Sequence, residues 1–329
     1  MNTTIADATS INYAATLLKQ GRLVAFPTET VYGLGADASN PEAVQRIFTA
    51  KGRPSSHPLI VHIASPSQLA DWASVIPDSA ILLSQSFWPG PLALILKKQA
   101  WVPLEVTGGQ DTVALRMPNH PVALNLLRTF NGGIAAPSAN RFCRISPTQA
   151  EHVREELADR VDLILDGGAC QIGLESTIVD LSGDHPRLLR PGQIGEQAIA
   201  NALGITSLSN PLCSPEIRAP GMMALHYAPI TRTILCSAVQ LLTEIDRLIT
   251  ENKRIGILTY SLQYQSNPHV HVIKLTDSAE AYGQALYASL RKLDSLKLDQ
   301  ILVEQPPNNS SWWAVNDRLT KAAGFNHFD

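Results

Sequence analysis

Several short groups of residues in this chain suit anion and amino-acid chemistry. In Lys51-Gly52-Arg53-Pro54 two cations stand two residues apart beside a proline-stiffened turn. On a loop they could converge on one polyanion, the guanidinium as a planar fork and the ammonium as a compact point charge. The competing reading is capping of a helix C-terminus, worth ~0.3–1 kcal/mol per cation. Arg116 closes the apolar run Val113-Ala114-Leu115. A guanidinium there needs an anion, and a substrate carboxylate or an internal Asp or Glu would serve equally. His62 alternates with Val61 and Ile63 and so faces away from them on a strand, either toward a ligand or as an ordinary hydrogen-bonded imidazole. Pro137-Ser138-Ala139-Asn140 offers hydroxyl and amide donors after an apolar strand, where open sheets bind ligands, although a plain turn fits the same residues. Glu175-Ser176-Thr177 and Arg190-Pro191-Gly192 add hydroxyls and another cation.

Other devices are missing: there is no G-x-x-x-x-G-K-[ST] loop, no G-x-S-x-G elbow and no H-E-x-x-H. Gly33-Leu34-Gly35-Ala36-Asp37-Ala38 matches G-x-G-x-x-A, but the motif requires an immediate turn after the strand, and here Pro27 to Tyr32 intervene. Arg53 stands about where that motif wants an acidic ribose partner, so a dinucleotide site remains a minor reading.

These groups need positioning elements. Residues 12–20 read as an amphipathic helix stopped by Gly21, and residues 23–26 as a buried strand. The polar stretch 27–35 then reads as a loop. Asn40 as N-cap and Pro41 at the first helical position predict a helix ending at Lys51 before Gly52. Further strands are expected at 59–64, 92–96, 112–116, 134–136, 163–165 and 176–179. Ser146-Pro147-Thr148-Gln149 has capping-box spacing and predicts a helix from Ser146 to about Val161. Ser207, Ser209, Pro211, Ser214, Pro215, Pro220 and Gly221 mark a linker. Beyond it strands (231–236, 255–260, 270–275, 301–303) mix with helices (239–252, 279–296, 313–323), the pattern of a small, mostly parallel three-layer domain. Trp312 and Trp313 read as core.

Length and composition bound the class. At 329 residues the chain suits roughly two domains, too long for a stapled miniprotein. Hydrophobic residues make up 45%, which excludes a disordered chain, and 26 basic against 29 acidic residues give no field to draw in a polyanion. Cys143, Cys170, Cys213 and Cys236 form no C-x-x-C pair and read as thiols in a reducing compartment. No signal peptide and no apolar run near ~18 residues is evident, so a soluble cytoplasmic protein without membrane contact is expected.

Singly none of these fragments is diagnostic, but their order is. Pro27-Thr28-Glu29-Thr30-Val31-Tyr32-Gly33-Leu34-Gly35, Lys51-x-Arg53-Pro54, Pro58-Leu59-Ile60-Val61-His62-Ile63, Trp88-Pro89-Gly90-Pro91, Arg116-Met117-Pro118, Ala136-Pro137-Ser138-Ala139-Asn140, Ser146-Pro147-Thr148, Glu175 to Asp180 and Arg190-Pro191-Gly192 resemble the YrdC-like threonylcarbamoyl-adenylate synthases. Ala219-Pro220-Gly221-Met222, His226-Tyr227-Ala228-Pro229 and Ala314 to Leu319 resemble the linker and second domain of that family's two-domain branch.

The resemblance implies an α/β chain: an open twisted-sheet YrdC-like catalytic domain with a large concave site (1–203), a linker or lid (204–229) and a small doubly wound Rossmann-like domain (230–329). It implies that L-threonine, bicarbonate and ATP, with Mg on the phosphates and no assigned protein metal site, give threonylcarbamoyl-AMP and pyrophosphate for N6-threonylcarbamoyladenosine in tRNA. Partner enzymes would transfer the group to tRNA. Lys51, Arg53, Ser138 and Asn140 fall at its catalytic positions. Arg53, His57, Thr112, Ser138, Ser146, Arg190, His226 and Tyr227 fall at its ATP positions, and Thr30, His62, Arg116, Ala136 and Ser176 at its threonine positions. Three departures touch the ATP side: His57 for asparagine, Phe142-Cys143 for a Ser-Gly pair, and Leu225 for arginine. The alternative is a double-stranded RNA or tRNA binding module without turnover, using the rim of Lys51, Arg53, Arg141 and Arg144.

Overall fold

The computed structural model describes residues 2–208 and 217–324, and Cys213 with the linker residues Ser209, Pro211, Ser214 and Pro215 lies outside them. The chain divides into two units, the first from 1–142, 147–171 and 175–222, the second from 143–146, 172–174 and 223–329.

In the first unit ten strands build one mixed sheet: β1 Asn2–Ile5, β2 Val24–Phe26, β3 Gly33–Asp37, β4 Ile60–His62, β5 Leu92–Lys97, β6 Thr112–Arg116, β7 Ile134–Ala135, β8 Leu163–Asp166, β9 Thr177–Asp180 and β10 Arg187–Arg190. Their order is β1-β8-β2-β3-β7-β4-β6-β5-β9-β10. The helices are α1 Ala8–Lys19, α2 Pro41–Lys51, α3 Leu69–Trp72, α4 Asp78–Phe87, α5 Leu104–Thr107, α6 Pro121–Phe130, α7 Ala150–Leu157 and α8 Glu196–Leu203.

The two faces of the sheet differ, and the difference makes the site. Val61, Leu92, Leu94, Leu96, Val113, Leu115 and Val179 point to one face and join Val44, Ile47 and Phe48 of α2, Leu83 of α4 and Ile199 of α8 in the main core. On the opposite face, α1 and α6 cover Val24, Phe26, Ile134, Leu163 and Leu165. That cover stops at β7. Beyond it Ile60, Ala93, Ile95, Ala114 and Ile178 form an apolar floor, overlaid by Ala219 and the half-buried Ile217.

Local signals explain several elements. Asn40 accepts from the N–H groups of Glu42 and Ala43, Pro41 opens α2, and Gly52 ends it at φ 64°. Asp7 and Ser10 cap α1 reciprocally, so the helix starts at Ala8, earlier than the apolar pattern suggests.

Three expectations fail. Residues 33–35, expected in a loop, lie in β3, paired with β2 and β7. Glycine is there for space, since a Cβ on Gly35 would lie 2.8 Å from the Phe26 ring and 2.9 Å from Ile134. The helix expected from Ser146 to Val161 spans only Ala150–Leu157, with Gln149 as an N-cap that makes no side-chain bond. The carbonyl of Pro147 accepts from Tyr32 N–H and that of Thr148 from Cys170 N–H, each at 2.9 Å, which holds the segment out of the helix. Ala158, at φ 43°, breaks the other end. Trp312 is buried, but Trp313 is 43% exposed.

The second unit is a parallel sheet of β11 Thr233–Cys236, β12 Ile255–Thr259, β13 Val270–Lys274 and β14 Gln300–Glu304, ordered β11-β14-β12-β13, with α9 Ala238–Thr250, α10 Ala279–Ser295 and α11 Trp313–Ala323. Every residue of β12 and β14 is buried, as expected of a doubly wound sheet covered on both sides. Among the described residues no disulfide links the cysteines, and no helix is long and apolar enough to cross a membrane.

Candidate functional site

Strand register sets two of the threonine-assigned residues side by side. In the parallel pair β4–β6, His62 lies opposite Arg116 and Ile60 opposite Ala114. The N–H of Ala136 donates to the Ile60 carbonyl at 3.0 Å. Arg116 Nε donates to the Gly90 carbonyl at 3.3 Å, and its Nη2 lies 2.8 Å from Glu29 Oε1. The internal carboxylate, one of the two partners open to Arg116 on sequence, is therefore present. Thr30 follows Glu29 in a turn held by the Thr28 hydroxyl, 2.8 Å from that of Thr30. Ser176 directly precedes β9, whose Thr177 N–H donates to the Pro91 carbonyl at 2.9 Å.

His62 is buried, and desolvation, reinforced by the Arg116 charge, lowers its pKa to about 3. The imidazole is thus neutral, able to accept at one nitrogen and donate at the other. Its Nδ1 has no hydrogen-bond partner among the described residues.

Lys51 donates to the carbonyls of Ser138 and Asn140, fastening the loop that offers the Ser138 hydroxyl and the Asn140 amide. The same loop is zipped to β3, with Leu34 N–H on the Pro137 carbonyl and Ala139 N–H on the Tyr32 carbonyl, both at 2.8 Å. Arg53 donates from Nη2 to the Pro58 carbonyl at 2.9 Å. His57 packs edge-on to Phe142 with ring centroids 5.6 Å apart. Its pKa is lowered by burial and then by the charges of Arg53 and Arg218. Arg190 grips Ser176, from Nε to its carbonyl at 2.9 Å and from Nη2 to its hydroxyl at 3.1 Å.

Thr112 opens the strand that Arg116 ends, on the same face, about 13 Å away at the usual rise per residue. Ser146, His226 and Tyr227 belong to the second unit. There Ser146 is buried, and His226 N–H donates to the Lys321 carbonyl at 3.1 Å. Tyr227, at φ 62°, has its ring centroid 5.8 Å from that of Tyr287, with the Arg318 guanidinium 5.2 Å above it.

Sequence reasoning missed three contributors. Glu29 was part of a motif but carried no role. Gln110 and Arg218 fasten the chain over the floor: Arg218 N–H donates to Gln110 Oε1 at 2.7 Å and Gln110 Nε2 to the Arg218 carbonyl at 3.0 Å. No short-range pattern signals a pair 108 residues apart.

A mixed α/β sheet that sets buried cations beside neutral hydrogen-bonding groups on one face is the arrangement of a YrdC-type module, here followed by a small parallel α/β unit. The family model described as telomere recombination, for the Sua5, YciO and YrdC proteins, matches residues 16–192, and the one described as the C-terminal domain of threonylcarbamoyl-AMP synthase matches residues 194–324. The chain is 42% identical to the threonylcarbamoyl-AMP synthase of Pyrococcus abyssi, over 96% of this chain and 94% of that one. It is 44% identical to that of Bacillus subtilis, over 95% and 93%. The crystal structure of P. abyssi Sua5 complexed with L-threonine superposes with a TM-score of 0.90 at 41% identity, covering 98% of this chain and 96% of that one. The chain belongs to the two-domain threonylcarbamoyl-AMP synthase family.

Proposed function

We propose that this chain condenses L-threonine, bicarbonate and ATP to threonylcarbamoyl-AMP, pyrophosphate and water. One observation supports the reading: His62 and Arg116 stand opposite each other at the ends of β4 and β6, with Glu29, the neighbour of Thr30, touching Arg116 and Ala136 hydrogen-bonded to β4. Arg116 takes the threonine carboxylate, and neutral His62 and the hydroxyls of Thr30 and Ser176 orient the rest of the amino acid. Lys51 and Arg53, with Ser138 and Asn140, meet the phosphates, while Arg190 links the two substrates through Ser176. Thr112 lies far enough along β6 for an extended nucleotide to reach it. The chemistry asks for alignment of a carbamate oxygen with the α-phosphorus and for electrostatic stabilisation, both of which a fixed array of donors supplies. The apolar floor beneath limits water that would hydrolyse the product.

Magnesium is proposed to ride on the triphosphate, where it spreads the negative charge. Ser146, His226 and Tyr227 are proposed ATP contacts. The product serves enzymes that move the threonylcarbamoyl group to tRNA.

The RNA-binding alternative is not favoured. Of the four rim residues, Lys51 and Arg53 are buried and Arg144 pairs with Asp294 at 3.0 Å, while Arg141 is exposed, and one exposed cation is little for a polyanion. Purified protein given Mg-ATP and labelled bicarbonate is expected to release pyrophosphate and fix label only with threonine present. Threonine-independent release, or none, refutes the proposal.

A further inference from the structure

Glu29 is a buried carboxylate at this site to which the proposed reaction gives no task. It is 3% exposed, and its Oε1 lies 2.8 Å from Arg116 Nη2. Yet neither Glu29 oxygen nor that Nη2 makes an aligned hydrogen bond among the described residues. The two charges touch without using up each other's lone pairs and N–H, and buried polar groups in that state call for an explanation. The turn that carries Glu29 is fixed, since the Thr28 hydroxyl donates to the Val31 carbonyl at 2.7 Å and accepts from the N–H groups of Thr30 and Val31 at 3.2 Å. Two nearby groups register the carboxylate's charge: it works against burial at His120 and adds to burial in raising the Cys170 thiol.

A buried anion beside a buried cation, each with hydrogen-bonding capacity to spare, is the complement of a zwitterion. An amino acid carries its carboxylate and ammonium on one carbon, so a carboxylate seated on Arg116 brings the ammonium within reach of the neighbouring anion. The opposed pair also keeps the pocket neutral with and without such a ligand, so no net charge has to be desolvated. We infer that Glu29 accepts the α-ammonium of the amino-acid substrate, and that the Glu29–Arg116 pair selects zwitterions over simple carboxylates. This rests on the proposed function for the identity of the substrate.

The test is calorimetry on the full chain with L-threonine and with (R)-3-hydroxybutanoate, the same molecule without its amine. Wild-type protein is expected to prefer threonine by at least about ten-fold, the size of a lost charge-assisted contact. In Glu29→Gln, threonine weakens by about ten-fold or more, while the deaminated acid holds or tightens because Arg116 is relieved of its competing anion. Glu29→Asp recovers part of the preference. Equal affinities in wild-type protein overturn the inference. So does a Glu29→Gln variant that loses both ligands in parallel, since Glu29 then merely holds Arg116 in place. Should Glu29→Gln not fold, the wild-type comparison and the aspartate variant decide. Failure of threonine-dependent pyrophosphate release tells against the enzyme reading instead, because these titrations need no turnover.

Discussion

Arg190 holds Ser176 at two points, its main-chain carbonyl at 2.9 Å and its hydroxyl at 3.1 Å, while its third nitrogen, Nη1, reaches the Pro220 carbonyl at 3.1 Å. A side chain proposed for ATP thus fixes one proposed for threonine, and also holds the segment lying over the apolar floor. Arg190→Lys keeps the charge and loses the fork. Threonine affinity is expected to fall about ten-fold even without nucleotide, a loss of about 1.4 kcal/mol. Unchanged titrations in the absence of ATP would show that the bond transmits nothing to the amino-acid end.

Lys51 acts through the loop it fastens. Lys51→Met removes the ammonium that bonds the carbonyls of Ser138 and Asn140 and leaves both acceptors short of a donor. Thermal unfolding is expected to show a loss of about 2–3 kcal/mol, the range for hydrogen bonds to a charged group, together with loss of pyrophosphate release. A variant as stable as wild-type protein but inactive would place the ammonium's work on the ligand alone.

Acid should unfold this protein through its buried imidazoles. His62 titrates near 6.5 when unfolded and near 3 when folded, because burial and the Arg116 charge both oppose its protonation. The unfolded chain therefore binds the proton first. This contribution is complete above pH 6.5 and is lost as the pH falls toward about 3. By pH 5 about 2 kcal/mol of it has been lost. His57 and His120 are shifted in the same direction, chiefly by burial. Urea midpoints at pH 7 and pH 5 should converge in His62→Gln relative to wild-type protein. An identical pH dependence in the two proteins would show that the ring is solvated.

What the sequence revealed and what it hid divide along contact distance. Asn40, Pro41 and Gly52 act on their own backbone, so α2 was readable residue by residue. Ser146-Pro147-Thr148-Gln149 carries the same kind of signal, but backbone donors from Tyr32 and Cys170 take the carbonyls of Pro147 and Thr148, and a local rule cannot anticipate them. Gly35 looks like a loop residue because its reason is the Phe26 ring and Ile134 packed against it from the neighbouring strands. At the site, His62 and Arg116 were visible as polar groups on apolar strands. Their meeting depends on the register of β4 against β6, and the choice of Glu29 as partner for Arg116 spans 87 residues.

The closest approach in the Arg190 turn gives the sharpest steric test. A Cβ on Gly192 would stand 2.4 Å from the Thr177 nitrogen and 2.8 Å from the Ser176 carbonyl carbon, both main-chain atoms that cannot swing aside. The turn must then back away and carry Arg190 off Ser176. Gly192→Ala is expected to cost about 1–3 kcal/mol, as overpacking does, and to weaken threonine in parallel with Arg190→Lys. Gly183→Ala is the control, because nothing lies within 4 Å of its new methyl group and its φ is not positive. It should stay within about 0.5 kcal/mol of wild-type protein. If both alanines melt together and bind threonine alike, the approach of the turn to Ser176 is looser than the geometry described here, and the coupling argued for Arg190 loses its structural basis.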